Sequence, residues 1–348
     1  MSIKVLVVDD SALIRQLLGE IIRQAPDMQL VGVAQDAYVA RDLVNQRAPD
    51  VITLDIEMPK VDGLTFLDKL MKARPTPVLM ISTLTEAGAE ATLRALELGA
   101  VDFIAKPKLD VAQGIEQYSQ QILDKIRMAA TSRVRKVQRT ASVSSPPYVN
   151  TGTEKIIAIG ASTGGTEAIK EVLTGLPANS PAVVITQHMP PGFTTTYAKR
   201  LDGLCALSVS EAKDGMRVLP GHAYLAPGNL HLCIEKYGAD YRIRLFDTER
   251  VSGHKPSVDV MFQSLAECAG KNVLAVILTG MGKDGALGMQ AIKAVGGTTL
   301  AQDEESCVVF GMPKEAIRLG GVDKVLPLGE ISRTALEVLS RLGAGTRL

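Results

Sequence analysis

The sequence predicts an α/β protein made of two doubly wound, mainly parallel-sheet domains, and three observations predict it. At 348 residues the chain is long for a single hydrophobic core, so two domains are expected. In both halves, short apolar runs of strand length alternate with segments of helical period. Between the halves, over residues 129–154, Arg133, Arg135, Lys136 and Arg139 precede Ser, Thr, Pro146-Pro147 and Gly152, with no periodic apolar positions. That composition reads as an exposed tether. The division expected is therefore 1–128, a flexible linker over 129–154, and 155–348.

In the first half the apolar runs 4–8, 30–34, 51–54, 78–81 and 102–105 read as strands. The helical patterns fall at 12–24, 38–47, 64–74, 87–98 and 111–129. Strict alternation of this kind implies crossover connections and a parallel sheet, with the ligand site beyond the carboxyl ends of the strands. Polar residues gather at those ends. Asp9 and Asp10 end the first strand, Asp55 the third and Ser82-Thr83 the fourth, while Lys106-Pro107 follow the fifth. Clustered carboxylates repel unless a hard cation neutralises them, and oxygen-only ligands favour Mg²⁺. A lysine and a hydroxyl on the same rim can hold the oxygens of a phosphoryl group.

Composition excludes several classes. Lys plus Arg equals Asp plus Glu at 38 each, so no global charge draws the chain to nucleic acid or anionic lipid. The basic linker lacks interleaved aromatics and reads as solvated. No apolar run reaches the roughly 18 residues of a membrane span, and MSIKVLVVDD is no signal peptide, so a cytoplasmic protein without membrane insertion is expected. Cys205, Cys233, Cys268 and Cys307 are widely spaced and read as buried thiols rather than disulfides or a metal site.

In the second half, strands are expected at 156–159, 182–186, 223–226, 242–245 and 273–278, with later ones near 298–301 and 325–326. Helices are expected at 166–173, 194–204, 257–268, 286–294, 314–319 and 330–342. The Gly/Pro-rich span 215–232 suggests an antiparallel hairpin inserted beside the sheet. Three strands end in chemistry. The first runs into Gly160-Ala161-Ser162-Thr163-Gly164-Gly165, a sharp strand-to-helix turn that leaves a hydroxyl open near helix N–H groups, as a nucleophile requires. Its glycine spacing matches no nucleotide-binding fingerprint. The second ends at His188, and the fifth leads through Met281 to Asp284. If these strands are neighbours, Ser162, His188 and Asp284 meet at one rim, a set suited to acyl transfer. His222 and His231 fall in the expected hairpin and His254 in a polar loop, so only His188 has a strand-end position.

The first half resembles a response-regulator receiver domain through VDDS at 8–11, LDIEMPKVDG at 54–63, the apolar run into Ser82, and AKP at 105–107. The resemblance implies that Asp55 accepts a phosphoryl group from a chemotaxis histidine kinase. Asp9, Asp10 and Asp55 would organise Mg²⁺ with the Glu57 carbonyl. Lys106 would pair with the phosphate, Ser82 would report it, and Phe103 stands at the aromatic switch position. Thr83 departs from the alanine common in receivers.

The second half resembles the catalytic domain of the CheB family of chemotaxis methylesterases through GASTGG, TQHMP, DGMRVLPGHAYLAPG, LTGMGKDGALG and AQDEESCVVFGMP. The resemblance implies Ser162 as nucleophile, His188 as general base and acid, Asp284 as orienting carboxylate, and backbone N–H groups near Met281 as the oxyanion hole. No cofactor is implied in this half. The implied substrate is a glutamyl methyl ester on the cytoplasmic signalling region of a chemoreceptor, with deamidation of receptor glutamines as a second reaction. Two rivals are a receiver-controlled DNA-binding regulator, which the output half's α/β pattern and the chain's zero net charge disfavour, and a catalytically inactive receptor-docking phosphate sink.

Overall fold

The computed structural model describes residues 2–83, 85–106, 114–133 and 154–344. Two compact units divide the chain, Met1–Arg139 and Thr140–Leu348. In the first, β1 (Ile3–Val8), α1 (Ala12–Gln24), β2 (Met28–Ala34), α2 (Ala37–Arg47), β3 (Val51–Asp55), α3 (Gly63–Ala73), β4 (Val78–Ser82), α4 (Glu86–Glu97), β5 (Asp102–Ala105) and α5 (Gly114–Thr131) alternate as expected. The strands form one parallel sheet in the order β2-β1-β3-β4-β5. Residues of β3 and β4 are buried throughout, because helices cover both faces. Ser11, Asp36, Asp62 and Thr85 each cap the following helix with a side-chain oxygen, which is why the chain turns helical where it does.

The last helix of this unit runs to Thr131, past the boundary expected at residue 128. The start expected for it, residues 111–113, lies outside the described residues, as do Pro107 and 134–153 of the linker.

The second unit contains β6 (Ile156–Ala161), α6 (Gly165–Thr174), β7 (Ala182–Gln187), α7 (Phe193–Asp202), β8 (Ser208–Glu211), β9 (His222–Leu225), β10 (His231–Tyr237) and β11 (Asp240–Phe246). It continues through α8 (Val258–Cys268), β12 (Val273–Ile277), α9 (Ala286–Ala294), β13 (Thr298–Gln302), α10 (Met312–Arg318), β14 (Lys324–Leu326) and α11 (Leu328–Ala344). Among the described residues, seven strands make a parallel sheet in the order β14-β13-β12-β6-β7-β9-β8, and β10-β11 form a separate antiparallel pair.

The hairpin is therefore real but displaced. It spans 231–246, with Tyr237 opposite Asp240 across a two-residue turn, rather than 215–232. The expected span instead delivers β9 into the main sheet, parallel to both β7 and β8. The short β8, Ser-Val-Ser-Glu, carries one buried side chain and gave no apolar run to detect. Cys307 is buried and the other three cysteines half-buried, with no disulfide among the described residues. Burial pushes the Cys205 and Cys268 thiols up to about 11, which leaves them inert at neutral pH.

Against one face of the central strands β12, β6 and β7, α8 packs in one core with α9, α10 and the β10-β11 pair. Phe262 and Leu265 of α8 are fully buried, each contributing about 1.5–3 kcal/mol by leaving water. Gly160 of β6 permits the closest approach, since a Cβ there would stand 2.2 Å from Val258 Cγ1. Gly160→Ala should destabilise the protein by about 1–3 kcal/mol through overpacking, read as a lower urea midpoint at unchanged slope.

Candidate active site

In the second unit the parallel register sets three strand ends side by side. Ile277 of β12 stands opposite Gly160 of β6, and Ala161 of β6 opposite Gln187 of β7. The next residues on β6 and β7 are Ser162 and His188, and His188 N–H donates to Ala161 O at 3.2 Å. Ser162 is half-buried, its N–H donating to Thr279 O at 3.0 Å and its carbonyl accepting from Gln187 Nε2 at 2.8 Å. Thr279 is fixed in turn: its N–H donates to Gln302 Oε1 at 2.8 Å and its hydroxyl donates to Thr163 O at 2.9 Å. A Cβ on Gly280 would stand 2.7 Å from Ser162 Cβ, so the backbone leading to Met281 presses directly on the serine.

Asp284 precedes α9 and is buried. Its Oδ2 lies 2.8 Å from His188 Nε2. The carboxylate also accepts from Val258 N–H at 2.7 Å, Asp259 N–H at 3.1 Å and the Ser257 hydroxyl at 2.7 Å, so it sits on the N-terminus of α8. Burial alone would raise its carboxyl. The His188 hydrogen bond and charge, with the Val258 N–H and the Ser257 hydroxyl, outweigh burial and hold it below the usual carboxylate range. The His188 ring is committed to Asp284 through Nε2. Its Nδ1 is buried and has no hydrogen-bond partner among the described residues.

Sequence reasoning missed three residues here. Ser257 caps α8 and binds Asp284 at once, a role visible only when the two loops meet. Gln187 fastens the Ser162 turn, and its place directly before His188 was the only available signal. His254, expected in a polar loop, lies with its ring stacked on that of His188, centroids 3.7 Å apart and planes 8° from parallel. The other histidines serve the frame. His231 is buried, accepting from Ser257 N–H at Nδ1 (3.2 Å) and donating through Nε2 to Glu249 O (2.9 Å). His222, on β9 rather than in the hairpin, meets Pro220 O.

In the first unit, Asp9, Asp10 and Asp55 each place a carboxylate oxygen within 4.8 Å of the others. Lys106 Nζ lies 2.7 Å from Asp55 Oδ2 and 3.5 Å from Asp9 Oδ2. Asp9 Oδ2 is buried without a hydrogen-bond partner of its own, and the donor set is all oxygen, so these residues fit a hard divalent cation. The Glu57 N–H donates to Asp55 Oδ1 at 3.4 Å, and its side chain is exposed. Ser82 is buried and turned toward α4: its hydroxyl accepts from Thr92 Oγ1 at 2.6 Å and donates to Gly88 O at 3.3 Å. Phe103 is buried with Lys125 Nζ 5.5 Å from its ring centroid, and Thr83 Oγ1 meets Thr85 Oγ1 at 3.3 Å.

Comparison with known proteins agrees with both halves. Residues 157–335 match the family model for CheB methylesterase, and residues 5–116 match the response regulator receiver domain. A Pseudomonas aeruginosa protein named protein-glutamate methylesterase/protein-glutamine glutaminase 2 is 63% identical over 351 residues, covering 100% of both chains. The chain belongs to the CheB methylesterase family. A Nitrosomonas europaea protein-glutamate methylesterase/protein-glutamine glutaminase is 58% identical, with 99% of this chain and 98% of that one covered. The crystal structure of the Thermotoga maritima CheB methylesterase catalytic domain superposes with TM-score 0.52 at 43% identity, covering 53% of this chain and 98% of that domain. Like others of the CheB methylesterase family, this chain thus joins a receiver to an ester hydrolase. No helix among the described residues is long and apolar enough to cross a membrane.

The receiver's acidic cluster makes a pH-dependent contribution to stability. Burial pushes the Asp55 carboxyl up to about 6, with Asp9 adding and Lys106 opposing, against 3.8 in the unfolded chain. Asp9 is raised too, chiefly by burial. The folded state therefore binds more protons between about pH 4 and pH 6, and stability falls as pH rises through that window. Relative to the parent, full-length Asp55→Asn should be more stable at about pH 7.5 than at about pH 4.5 in urea unfolding without divalent cation. An equal difference at both would contradict the assigned shift.

Proposed function

We propose that the chain removes methyl groups from glutamyl methyl esters in the cytoplasmic signalling region of chemoreceptors, through a Ser162–His188–Asp284 acyl-enzyme mechanism controlled by phosphorylation at Asp55. The observation that carries the reading is the 2.8 Å His188–Asp284 hydrogen bond at the carboxyl ends of the central strands, where the register also brings Ser162. With Nε2 held by Asp284, Nδ1 is the atom that takes the proton from Ser162 Oγ as the hydroxyl attacks the ester carbonyl. The Met281 N–H, beside the backbone pressed on Ser162, is assigned to the developing oxyanion. Collapse of the tetrahedral intermediate returns the proton from His188 to the departing methoxide, releasing methanol and leaving an acyl-serine. Water, deprotonated by His188, then frees the glutamate. A glutamine side chain can enter the same sequence and lose ammonia, so deamidation belongs to the same site.

In the receiver, Asp55 accepts the phosphoryl group from a chemotaxis histidine kinase. The carboxylates of Asp9, Asp10 and Asp55 with the Glu57 carbonyl are assigned to Mg²⁺, which when bound supplies positive charge for the phosphoryl oxygens. Lys106 pairs with the phosphate. Ser82 releases Thr92 and Gly88 to do the same, and buried Phe103 follows that movement. The reaction, its receptor substrate and its kinase place the protein in the cytoplasm.

Ser162→Ala should reduce methanol release from methylated receptor by roughly 10⁴-fold or more while Asp55 still takes phosphate from a small phosphodonor. His188→Ala should cost nearly as much, and Asp284→Asn less, about 10²–10⁴-fold. Appreciable turnover by Ser162→Ala would remove the assignment, and an unaltered ability to take phosphate with no turnover in the parent would favour the phosphate-sink reading.

Regulation has its own expected outcome. Shifting an inactive-to-active ratio from about 99:1 to 1:99 requires roughly 5.5 kcal/mol. The two charge-assisted hydrogen bonds assigned to the new phosphate, from Lys106 and Ser82 at about 1.5–3 kcal/mol each, sum to roughly 3–6 kcal/mol and fall short once the cost of breaking the Ser82 contacts is counted. A fragment beginning at Glu154 should therefore hydrolyse at least as fast as the phosphorylated full-length chain, and Asp55→Asn should stay at basal rate with phosphodonor. A fragment no faster than the unphosphorylated full-length chain would show that the receiver imposes no restraint.

A further inference from the structure

We propose that His254 is a positioning residue of the hydrolase, its imidazole serving as the flat support that orients the ring of His188. The proposal rests on the reading of His188 as general base. A hydrogen bond from His188 Nε2 to Asp284 fixes one atom of the ring and a direction, but the ring plane can still turn about that line. The position of Nδ1, the atom that must meet Ser162 Oγ, depends on that plane. His254 supplies the missing constraint, because its ring lies 3.7 Å from that of His188 and only 8° from parallel. His188 is itself nearly buried, its side chain 8% exposed, and His254, half-buried beside an exposed turn, covers one face of its ring.

The loop from β11 to α8 is built to present this ring. Val251 and His254 exchange two backbone hydrogen bonds, at 3.1 and 2.9 Å, across a two-residue turn. The central residues Ser252 and Gly253 have φ of 53° and 81°, the pattern of a type I′ turn. On either side the buried His231 ring binds Glu249 O and Ser257 N–H, which anchors the loop to β10. Ser257 continues directly into the hydroxyl contact with Asp284. One connection thus delivers a flat ring to the face of His188 and a hydroxyl to the carboxylate that binds its edge.

The stack also bears on the chemistry. When Ser162 transfers its proton, His188 becomes an imidazolium, and an aromatic face held against a cation attracts it. That contact strengthens as the transition state forms, which is the kind of interaction that raises kcat rather than lowering KM.

The test measures kcat and KM for methanol release by the full-length protein, together with the rate at which a phosphonofluoridate labels Ser162. His254→Ala should lower kcat and the labelling rate by about 10- to 100-fold, the scale of a misplaced catalytic group, with KM within about twofold of the parent. His254→Phe, which keeps a flat ring but no titratable nitrogen, should return both to within about fivefold of the parent. If His254→Ala does not fold, judged by thermal unfolding, His254→Gln takes its place with the same loss expected. An unchanged kcat in the ringless variant, a rise in KM alone, or a phenylalanine variant no faster than the ringless one would each overturn the proposal. His188→Ala, measured alongside, separates the two readings. Full activity there removes the triad itself, whereas an inactive His188→Ala beside a fully active His254→Ala removes only the stack.

Discussion

The Asp284 carboxylate is the point on which the second unit turns. A buried carboxylate is costly unless its charge is met by donors, and Asp284 is met on every side. Val258 and Asp259 N–H groups, the Ser257 hydroxyl and His188 Nε2 all reach it within 3.1 Å. Asp259 returns the arrangement. It stands in the first turn of α8, and its Oδ1 accepts from Gly288 N–H at 2.7 Å, so each acid holds the beginning of the other's neighbouring helix. α8 and α9 are thereby clasped at their N-termini, and α8 lies over Gly160 of the strand that leads to Ser162. Site geometry and helix packing are consequently one interaction: the carboxylate that orients His188 in the proposed mechanism also fixes the helix that packs on the strand leading to Ser162.

The receiver uses the opposite balance. Asp55 is as deeply buried as Asp284, yet Lys106 and one long N–H contact are set against burial and the neighbouring Asp9 charge. Its carboxyl is therefore driven up where that of Asp284 is driven down. An acid satisfied by four donors is suited to a permanent structural and orienting role. One left short of positive charge, beside an Asp9 oxygen that has only the Lys106 ion pair at 3.5 Å and no hydrogen bond, is suited to gaining a cation and a phosphoryl group. The burial class alone does not distinguish the two roles; the inventory of donors does.

Much of this was legible in the residues. The alternation of short apolar runs with helical periods specified both parallel sheets, since only buried strands covered by crossover helices read that way. Helical period alone set the starts of α1, α2, α3, α4 and α8 within one residue. Strand-end polar residues picked out Asp9, Asp10, Asp55, Ser82 and Lys106, and the three strand ends carrying Ser162, His188 and Asp284, because in a parallel sheet all carboxyl ends face one way. The hairpin was misplaced because the Gly/Pro signals of 215–232 mark turns without saying which strands they join, and β9 pairs with strands distant in sequence.

What the sequence by itself determined was the fold class, the alternation of elements and the candidate chemistry, all of which follow from local periodicity and from residue types at strand ends. The tertiary structure alone decided which strands are neighbours, which nitrogen of His188 meets Asp284, that Ser257 and the start of α8 bind that carboxylate, and that His254 stacks on the His188 ring. Each of these joins residues tens of positions apart or depends on the orientation of a ring. Such contacts are set by packing and by the pairing of buried polar groups, neither of which leaves a periodic trace along the chain.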